Sequence, residues 1–214
     1  MLEHKTVSLA DQVFEHLETD ILSGKYQRGE ILSESKLCSE MGVSRTPIRE
    51  AMRRLEQEHI IEDSSRGYVV IGISEKDLAD IFLIRENIEC LAAAAAASNC
   101  TKEQLTELKD TLELQEFYLE KMDSEQIKSM DNRFHSLIYK ICGGITFYDT
   151  LEPLHKKIQK YRRAAMGNKS RATASVAEHR KIYEAIAARD IEAAKQATTE
   201  HIKNAYNHII GKDE

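Results

Sequence analysis

Four side chains in the second half of the sequence have the types and spacing of metal ligands. Asp131 and His135 lie four residues apart in "DNRFHSLIYKI", so a helix carries both on one face. His179 and His201 each fall on the inward stripe of a further predicted helix. Imidazole and carboxylate ligands suit Zn, Ni, Mn or Fe, and open positions would remain for water or a bound carboxylate. These four residues therefore predict a divalent metal site, although each histidine alone also fits a hydrogen-bonded core position. The other histidines are expected on the surface: His4, His16, His59, His155 and His208.

Arg85 lies within an otherwise apolar helix stripe. A buried guanidinium is costly unless an anion meets it. Two partners are open: an anionic ligand, or Glu89, which lies four residues further along the same helix. Arg162 and Arg163 are further candidates to line a pocket there. The apolar members of the stripe are Leu78, Ile81, Ile88, Ala92 and Ala95.

A second group of residues has the pattern of a nucleic-acid contact. Arg45, Arg49 and Arg53 recur every four residues in "GVSRTPIREAMRRLE", so they share one helix face, and apolar residues occupy the other. Such a helix fits the major groove, where arginine forks bind O6 and N7 of guanine. Ser44 and Thr46 begin the helix and can donate to phosphate, and helix N-termini favour anions. The alternative is a solvated basic face with no partner.

The residues around this helix predict the fold to which it belongs. Two short helices precede it, and Gly42 suits the left-handed end of the second one. Two short strands follow it around a polar turn at 63–67, with Arg66 and Gly67 at the tip, where glycine permits close approach to the minor groove. Three helices and a hairpin form a winged helix-turn-helix, which we assign to residues 1–73 as a DNA-binding domain.

From Ser74 onward the apolar periodicity is helical. Short loops between the segments favour antiparallel neighbours in an all-helical bundle over residues 74–214. Ser74, Thr101 and Ser124 are expected to begin helices. The fold class is thus mainly α, with a small β-hairpin wing. The six predicted segments are 74–98, 102–122, 124–142, 146–167, 170–188 and 190–210.

Composition excludes several classes of protein. The 214 residues carry a formal net charge of -6 and only two prolines and nine glycines, which disfavours a turn-rich all-β fold. The sequence contains no run of about 18 apolar residues, so no membrane span is predicted. The charged N-terminus lacks a signal-peptide pattern, and a cytoplasmic protein is expected. The four cysteines form no CxxC pair and are expected as free thiols. Since bulk charge disfavours nucleic acid, any such contact depends on the local arginine face.

Both halves of the sequence resemble one family of bacterial transcription regulators. "LSESKLCSEMGVSRTPIREAMRRLEQEHIIEDSSRGYVV" resembles the DNA-binding domain of the GntR family. "IRENIECLAAAAAA", "DNRFHSLIY", "AEHRKIYEAIAARDIEAA" and "TEHI" are similar to the FCD effector domain of its FadR-like branch, in the shorter, six-helix VanR-like variant. The resemblance implies a homodimeric repressor.

The same resemblance implies roles for particular residues. Arg45, Thr46 and Arg49 would contact operator DNA, and the wing glycine would approach the minor groove. The metal ligands would correspond to the four residues proposed above, and Arg85 would hold the carboxylate of a small organic-acid effector.

Sequence reasoning thus favours a regulator whose operator affinity depends on a carboxylate at a metal-containing pocket, and not an enzyme. Two alternatives remain at this point. In a metalloenzyme, the ion would activate water. In a metal sensor, the ion itself would be the signal.

Overall fold

A computed structural model describes residues 8–165 and 169–211 of the chain. The chain divides into two compact units. The first, here called the N-terminal unit, contains the chain up to Glu75 together with Lys160–Ala165. The second, here called the helical unit, contains Lys76–Gln159 and the chain from Met166 onward.

The N-terminal unit contains three helices and a three-stranded antiparallel sheet in the order β1-β3-β2. Ile31 pairs with Val69, and Ser64 pairs with Gly67 at the tip of the hairpin. The short strand β1 and the predicted hairpin therefore form one sheet. The elements are α1 (Leu9–Leu22), β1 (Ile31–Leu32), α2 (Glu34–Met41), α3 (Arg45–Gln57), β2 (Ile61–Ser64) and β3 (Gly67–Val70).

The apolar face of α3 anchors that helix in the core. Ile48, Ala51, Met52 and Leu55 are fully buried, and α3 packs along α1. Each large aliphatic side chain buried in this way stabilises the fold by about 1.5–3 kcal/mol. Because these residues hold one side of α3, Arg45, Arg49 and Arg53 are turned to the other side, as the spacing predicts.

Local signals fix where α2 ends and α3 begins. The Ser33 hydroxyl accepts a hydrogen bond from the Lys36 amide, and Gly42 adopts the left-handed conformation with φ 66°. Ser44 is the N-cap of α3, but its side chain makes no capping hydrogen bond. Its hydroxyl is therefore not engaged in capping the helix start.

Six helices follow in the described part of the chain, and the helical unit contains them except for Glu75 of α4 and Lys160–Ala165 of α7. Thr101 and Gln104 form the reciprocal capping box that begins α5. The expected start at Ser124 is wrong, because Asp123 is the N-cap of α6 and accepts from the Gln126 amide. The helices are α4 (Glu75–Asn99), α5 (Lys102–Glu120), α6 (Ser124–Ile141), α7 (Ile145–Ala165), α8 (Lys169–Ala187) and α9 (Ile191–Ile209).

The helical unit has its own core. α5 packs on α6 and α8, and α8 packs on α9. The run of alanines in α4 is largely buried there, with Ala92, Ala93, Ala96 and Ala97 fully inaccessible. These small side chains allow close helix contacts, and the polar site described next lies within the same interior.

Candidate metal centre and nucleic-acid interface

Three histidines from three different helices meet in the interior of the helical unit. His135 comes from α6, His179 from α8 and His201 from α9, and their ligand-capable atoms all lie within 4.8 Å of one another. Their side chains are almost fully buried, with exposures of 2%, 0% and 3%. Three imidazoles this close can share one divalent ion.

Each histidine of this cluster has an oxygen acceptor beside its Nδ1 atom. Glu178 Oε2 lies 2.7 Å from Nδ1 of His201, and Gln115 Oε1 lies 2.9 Å from Nδ1 of His179. The third acceptor is Glu89, whose Oε2 lies 3.3 Å from Nδ1 of His135. Carboxylate and amide oxygens only accept, so each Nδ1 carries the proton and each Nε2 keeps its lone pair. This is the outer hydrogen-bond pattern typical of metal-ligating histidines.

Two of the three acceptors are carboxylates neutralised by a buried arginine. Arg171 binds Glu178 with two parallel hydrogen bonds of 2.8 Å each. Arg85 Nε donates to Glu89 Oε1 at 2.5 Å, and both side chains are buried. Such pairing offsets the cost of burying the two carboxylates beside the imidazoles.

The protonation states suit a cation. Burial, followed by the neighbouring imidazoles, lowers the pKa of His179 and of His201 well below the usual value. Burial alone would raise the pKa of Glu89, but Arg85 and then His135 outweigh it and lower that pKa to about 2. Neutral imidazoles and ionised carboxylates are the forms that metal binding requires.

One buried nitrogen atom in the cluster indicates that the three histidines can hold an ion. Nε2 of His179 is inaccessible and has no hydrogen-bond partner among the described residues. A buried polar atom without a partner destabilises a fold by about 1–3 kcal/mol. Since Nδ1 of the same ring is already engaged, a cation at the three Nε2 atoms would remove this cost. The residues present therefore fit a divalent ion.

Asp131 lies beside only part of this cluster. One of its oxygens is 3.8 Å from Nε2 of His179, and the other accepts from Gln159 and lies 3.6 Å from Nε2 of His155. Among the described residues, the close group of potential ligands contains the three histidines without this carboxylate. Asp131 is nonetheless placed at the edge of the cluster, where it is buried.

Two histidines expected on the surface are buried, so that expectation is wrong for them. His155 is 2% exposed, and its ring centroid lies 4.5 Å from that of His135. Its Nδ1 lies 3.3 Å from Arg85, and its Nε2 lies 3.0 Å from the Asn132 side chain. His208 is 5% exposed. His16 and His59 are exposed, as expected, whereas His4 lies outside the described residues.

The physical reason for both corrections is helical spacing. Leu151, His155 and Ile158 recur at i, i+4 and i+7 and share the inward stripe of α7. His201, Ala205 and His208 do the same on α9. The lysines that follow His155 give its surroundings a polar character that hides the stripe.

The outer acceptors were not identified from the sequence. Gln115 follows Leu108 and Leu112 on the buried stripe of α5, which was the available signal. Glu178 directly precedes His179, and nothing local marks it as inward. Of the two partners considered for Arg85, Glu89 is the one in contact; the side chains of Arg162 and Arg163 lie outside the described residues.

The arginine face of α3 is exposed in the N-terminal unit. Arg45, Arg49 and Arg53 are exposed, as is Thr46 next to them. Arg49 is not without a partner, because its Nε lies 2.9 Å from both oxygens of Glu34 on α2. This ion pair is solvent-accessible, so exchanging Glu34 for a phosphate or a guanine is inexpensive.

The wing brings its tip close to β1. Gly67 has φ 123°, and a Cβ atom there would lie 2.8 Å from the Leu32 carbonyl oxygen, so only glycine fits. Arg66 precedes it and is exposed. An open cleft of about 500 Å³ lies between the wing, α2 and the start of α3, with Arg45 in its lining. Of the predicted DNA-contacting residues, Arg45 and Gly67 line this cleft.

No helix among the described residues combines the length and the apolar character needed to cross a bilayer.

Known protein families match the sequences of both units. Residues 9–71 match the bacterial regulatory proteins of the gntR family, and residues 80–204 match the FCD domain. The uncharacterized HTH-type transcriptional regulator YdhC of Bacillus subtilis (strain 168) is 30% identical over 200 residues, covering 92% of this chain and 89% of that protein. The HTH-type transcriptional repressor RspR of Escherichia coli (strain K12) is 29% identical over 199 residues, covering 92% and 87%. The solved structure of E. coli McbR/YncC superposes with a TM-score of 0.73 at 26% identity, covering 97% and 99%. This chain therefore belongs to the GntR family of bacterial regulatory proteins, in its FadR-like branch with an FCD domain, and is a DNA-binding transcription regulator.

Proposed function

We propose that a small organic acid, bound at a divalent metal in the helical unit, controls the affinity of this regulator for its operator. The ion would be held by His135, His179 and His201, with Asp131 as the fourth protein group. The observation that carries the proposal is the buried Nε2 of His179, which has no hydrogen-bond partner among the described residues while Nδ1 of the same ring is engaged. An ion bound there would leave positions for a carboxylate.

DNA recognition would come from the exposed side of the N-terminal unit. The first turn of α3 would enter the major groove with Ser44, Arg45, Thr46 and Arg49, while Arg53 would follow the backbone. The wing tip, with Arg66 and Gly67, would reach the adjacent minor groove. In support, all of these residues except the half-buried Gly67 are exposed, and Arg45 and Gly67 line the cleft beside the wing. As operator DNA is cytoplasmic in bacteria, the protein would act there.

The regulator would act as a homodimer on a two-fold operator. Recognition helices of two copies must lie about 34 Å apart to engage both half-sites, so a small change in their placement alters affinity strongly. The acid controls binding only if it binds one arrangement better than the other. Several relatives are named as repressors, which supports release of DNA as the response to the effector.

A metal-responsive regulator is the second candidate. The observation in its favour is that Arg85 already contacts Glu89 and so is not held ready for an effector carboxylate. In that case, the ion alone would alter operator binding.

The test combines metal analysis with operator binding. Elemental analysis of the purified full-length protein should find about one divalent ion per chain, and fluorescence anisotropy should then show that a small carboxylate changes the operator Kd at constant metal. A carboxylate effect on protein without bound metal would contradict the proposal. If metal removal alone changes the Kd, and no acid does, the second candidate is correct.

A further inference from the structure

The arginine face of α3 contains one arginine that is already paired. Arg49 forms an ion pair with Glu34, which lies in the first turn of α2. The other two arginines of this face, Arg45 and Arg53, make no ion pair with the described residues. Leu37, three residues after Glu34, is fully buried and anchors α2 in the core. Glu34 therefore ties the guanidinium of Arg49 to a second, anchored helix.

The contact uses only one edge of the guanidinium. Arg49 Nε donates to both carboxylate oxygens of Glu34, and each distance is 2.9 Å. The N–H groups on the two terminal nitrogens of an arginine form a separate, planar fork. Such a fork matches O6 and N7 of guanine in the major groove. Arg49 can thus read a guanine without giving up Glu34.

The surroundings of Glu34 favour its retention when DNA binds. The pair is accessible enough for exchange, but the carboxylate lies at the N-terminus of α2, where the helix dipole stabilises a negative charge. Asp63 lines the same cleft as Glu34, so a phosphate that replaced the carboxylate would approach a second acidic group. A guanine edge carries no net charge and avoids this repulsion.

The pair as a whole has no net charge, which affects what Arg49 can recognise. An unpaired arginine attracts every phosphate of a duplex, so it adds affinity without sequence information. A paired arginine that still presents its fork gains most from the acceptors on a base edge. Pairing with Glu34 therefore shifts the contribution of Arg49 from general affinity toward base recognition.

From this contact, we infer that Glu34 is a specificity-determining residue of the regulator, which positions the guanidinium of Arg49 on a guanine of the operator. Glu34 is a positioning residue, since it acts through Arg49 and does not itself touch a base. The inference rests on the proposed placement of α3 in the major groove. It goes beyond that placement, because a face of three independent arginines needs no carboxylate.

Selection from a library of randomised duplexes tests the inference on the full-length protein and requires no known operator. The wild-type protein should enrich a guanine in each half-site that Arg49→Ala does not enrich. Competition binding with the enriched duplex and its single-base variants then gives the guanine preference as a ratio of Kd values. Glu34→Ala should lower this preference about tenfold, the size of one good fork contact, and leave the preferences at other positions unchanged.

A conservative variant separates position from charge. Glu34→Gln loses the same charge as Glu34→Ala, but its amide oxygen can still accept from Arg49 Nε. It should therefore keep most of the guanine preference that Glu34→Ala loses. Both variants should bind a scrambled duplex at least as tightly as the wild-type protein, because each removes a negative charge beside the phosphates.

The matched control removes a carboxylate elsewhere in the N-terminal unit. Glu62 is exposed on β2 and makes no ion pair with the described residues. Glu62→Gln should leave the guanine preference at its wild-type value. Circular dichroism of each variant verifies that it folds.

The outcomes separate this inference from the placement of α3 on which it rests. An unchanged guanine preference in Glu34→Ala overturns the inference, and so do equal losses in Glu34→Ala and Glu34→Gln. If Arg49→Ala weakens binding to all sequences equally, Arg49 contacts phosphate, and the inference fails while the placement of α3 stands. If Arg49→Ala alters neither affinity nor base preference, or if the wild-type protein enriches no sequence, both fail.

Discussion

Glu178 accepts a hydrogen bond from Nδ1 of His201 at 2.7 Å, so the Nε2 atom of that imidazole keeps its lone pair. The same carboxylate is held by Arg171 and by the Asn204 amide, which donates at 2.9 Å. The orientation of His201 therefore depends on a residue that would not itself touch the ion.

Replacing this acceptor should weaken metal binding without removing a ligand. Glu178→Gln retains the size of the side chain but loses its charge, and outer-shell changes of this kind lower metal affinity about 10–100-fold. Titration against a chromophoric chelator measures the change. Glu116→Gln is the control, because Glu116 also pairs with an arginine of α8, Arg180, but outside the cluster. Equal metal affinities for both variants would show that Glu178 does not support the metal site.

Loss of a histidine from the cluster should abolish stoichiometric metal binding. His179→Gln removes the buried Nε2 atom, which has no hydrogen-bond partner among the described residues, so the purified variant should contain well under one ion per chain by elemental analysis. The exposed His59→Gln should retain the wild-type metal content. Full metal content in His179→Gln would show that the three imidazoles are only core residues.

The buried pair Arg85–Glu89 and the exposed pair Arg133–Glu107 should differ greatly in their contribution to the free energy of unfolding. Arg85→Ala leaves the buried Glu89 unpaired, and breaking such a pair costs about 3–5 kcal/mol. Arg133→Ala breaks the exposed pair with Glu107 and should cost less than about 1 kcal/mol. Thermal unfolding of the full chain measures both. The double variant Arg85→Met/Glu89→Met should recover much of the stability lost in Arg85→Ala. If it recovers none, the unpaired charge of Glu89 is not the cause of the loss.

Acid should destabilise the metal-free protein in a defined pH range. The pKa values of His179 and His201 are lowered in the folded state, so below the unfolded value of 6.5 the unfolded chain binds more protons. Stability therefore falls as pH decreases below about 6.5, by about 1.4 kcal/mol per pH unit for each histidine. Melting temperatures of chelator-treated protein measure this loss of stability. They are recorded between about pH 7.5 and about pH 5.5, on either side of the pKa of histidine in the unfolded chain. An unchanged slope in His179→Gln would contradict the assignment.

Operator binding should depend on the arginine face of α3. Arg49→Ala should lower operator affinity at least tenfold and reduce the dependence of log K on log salt concentration by about one charge. Arg133→Ala is the matched control, because it also removes an exposed arginine that pairs with a glutamate. Fluorescence anisotropy at several salt concentrations gives both quantities. If the two variants bind alike, α3 is not the recognition helix.

The sequence predicted the elements better than the contacts between them. The periodicity of apolar residues located α3 and the six later helices, because burial on one face of a helix is a local property. The stripes also placed His135, His179 and His201 inward. The pairing of Gln115 with His179 joins residues 64 positions apart, so it depends on how α5 lies against α8, which periodicity does not determine. His155 was missed because its flanking lysines hide an inward spacing.

The most direct measurement compares operator affinity in four states of the full-length protein: with and without bound metal, and each with and without a small carboxylate. We predict that the acid changes the operator Kd at least tenfold in the metal-loaded protein and has no effect after the metal is removed. The same acid-induced change in the metal-free protein, or no change in any state, would contradict the account.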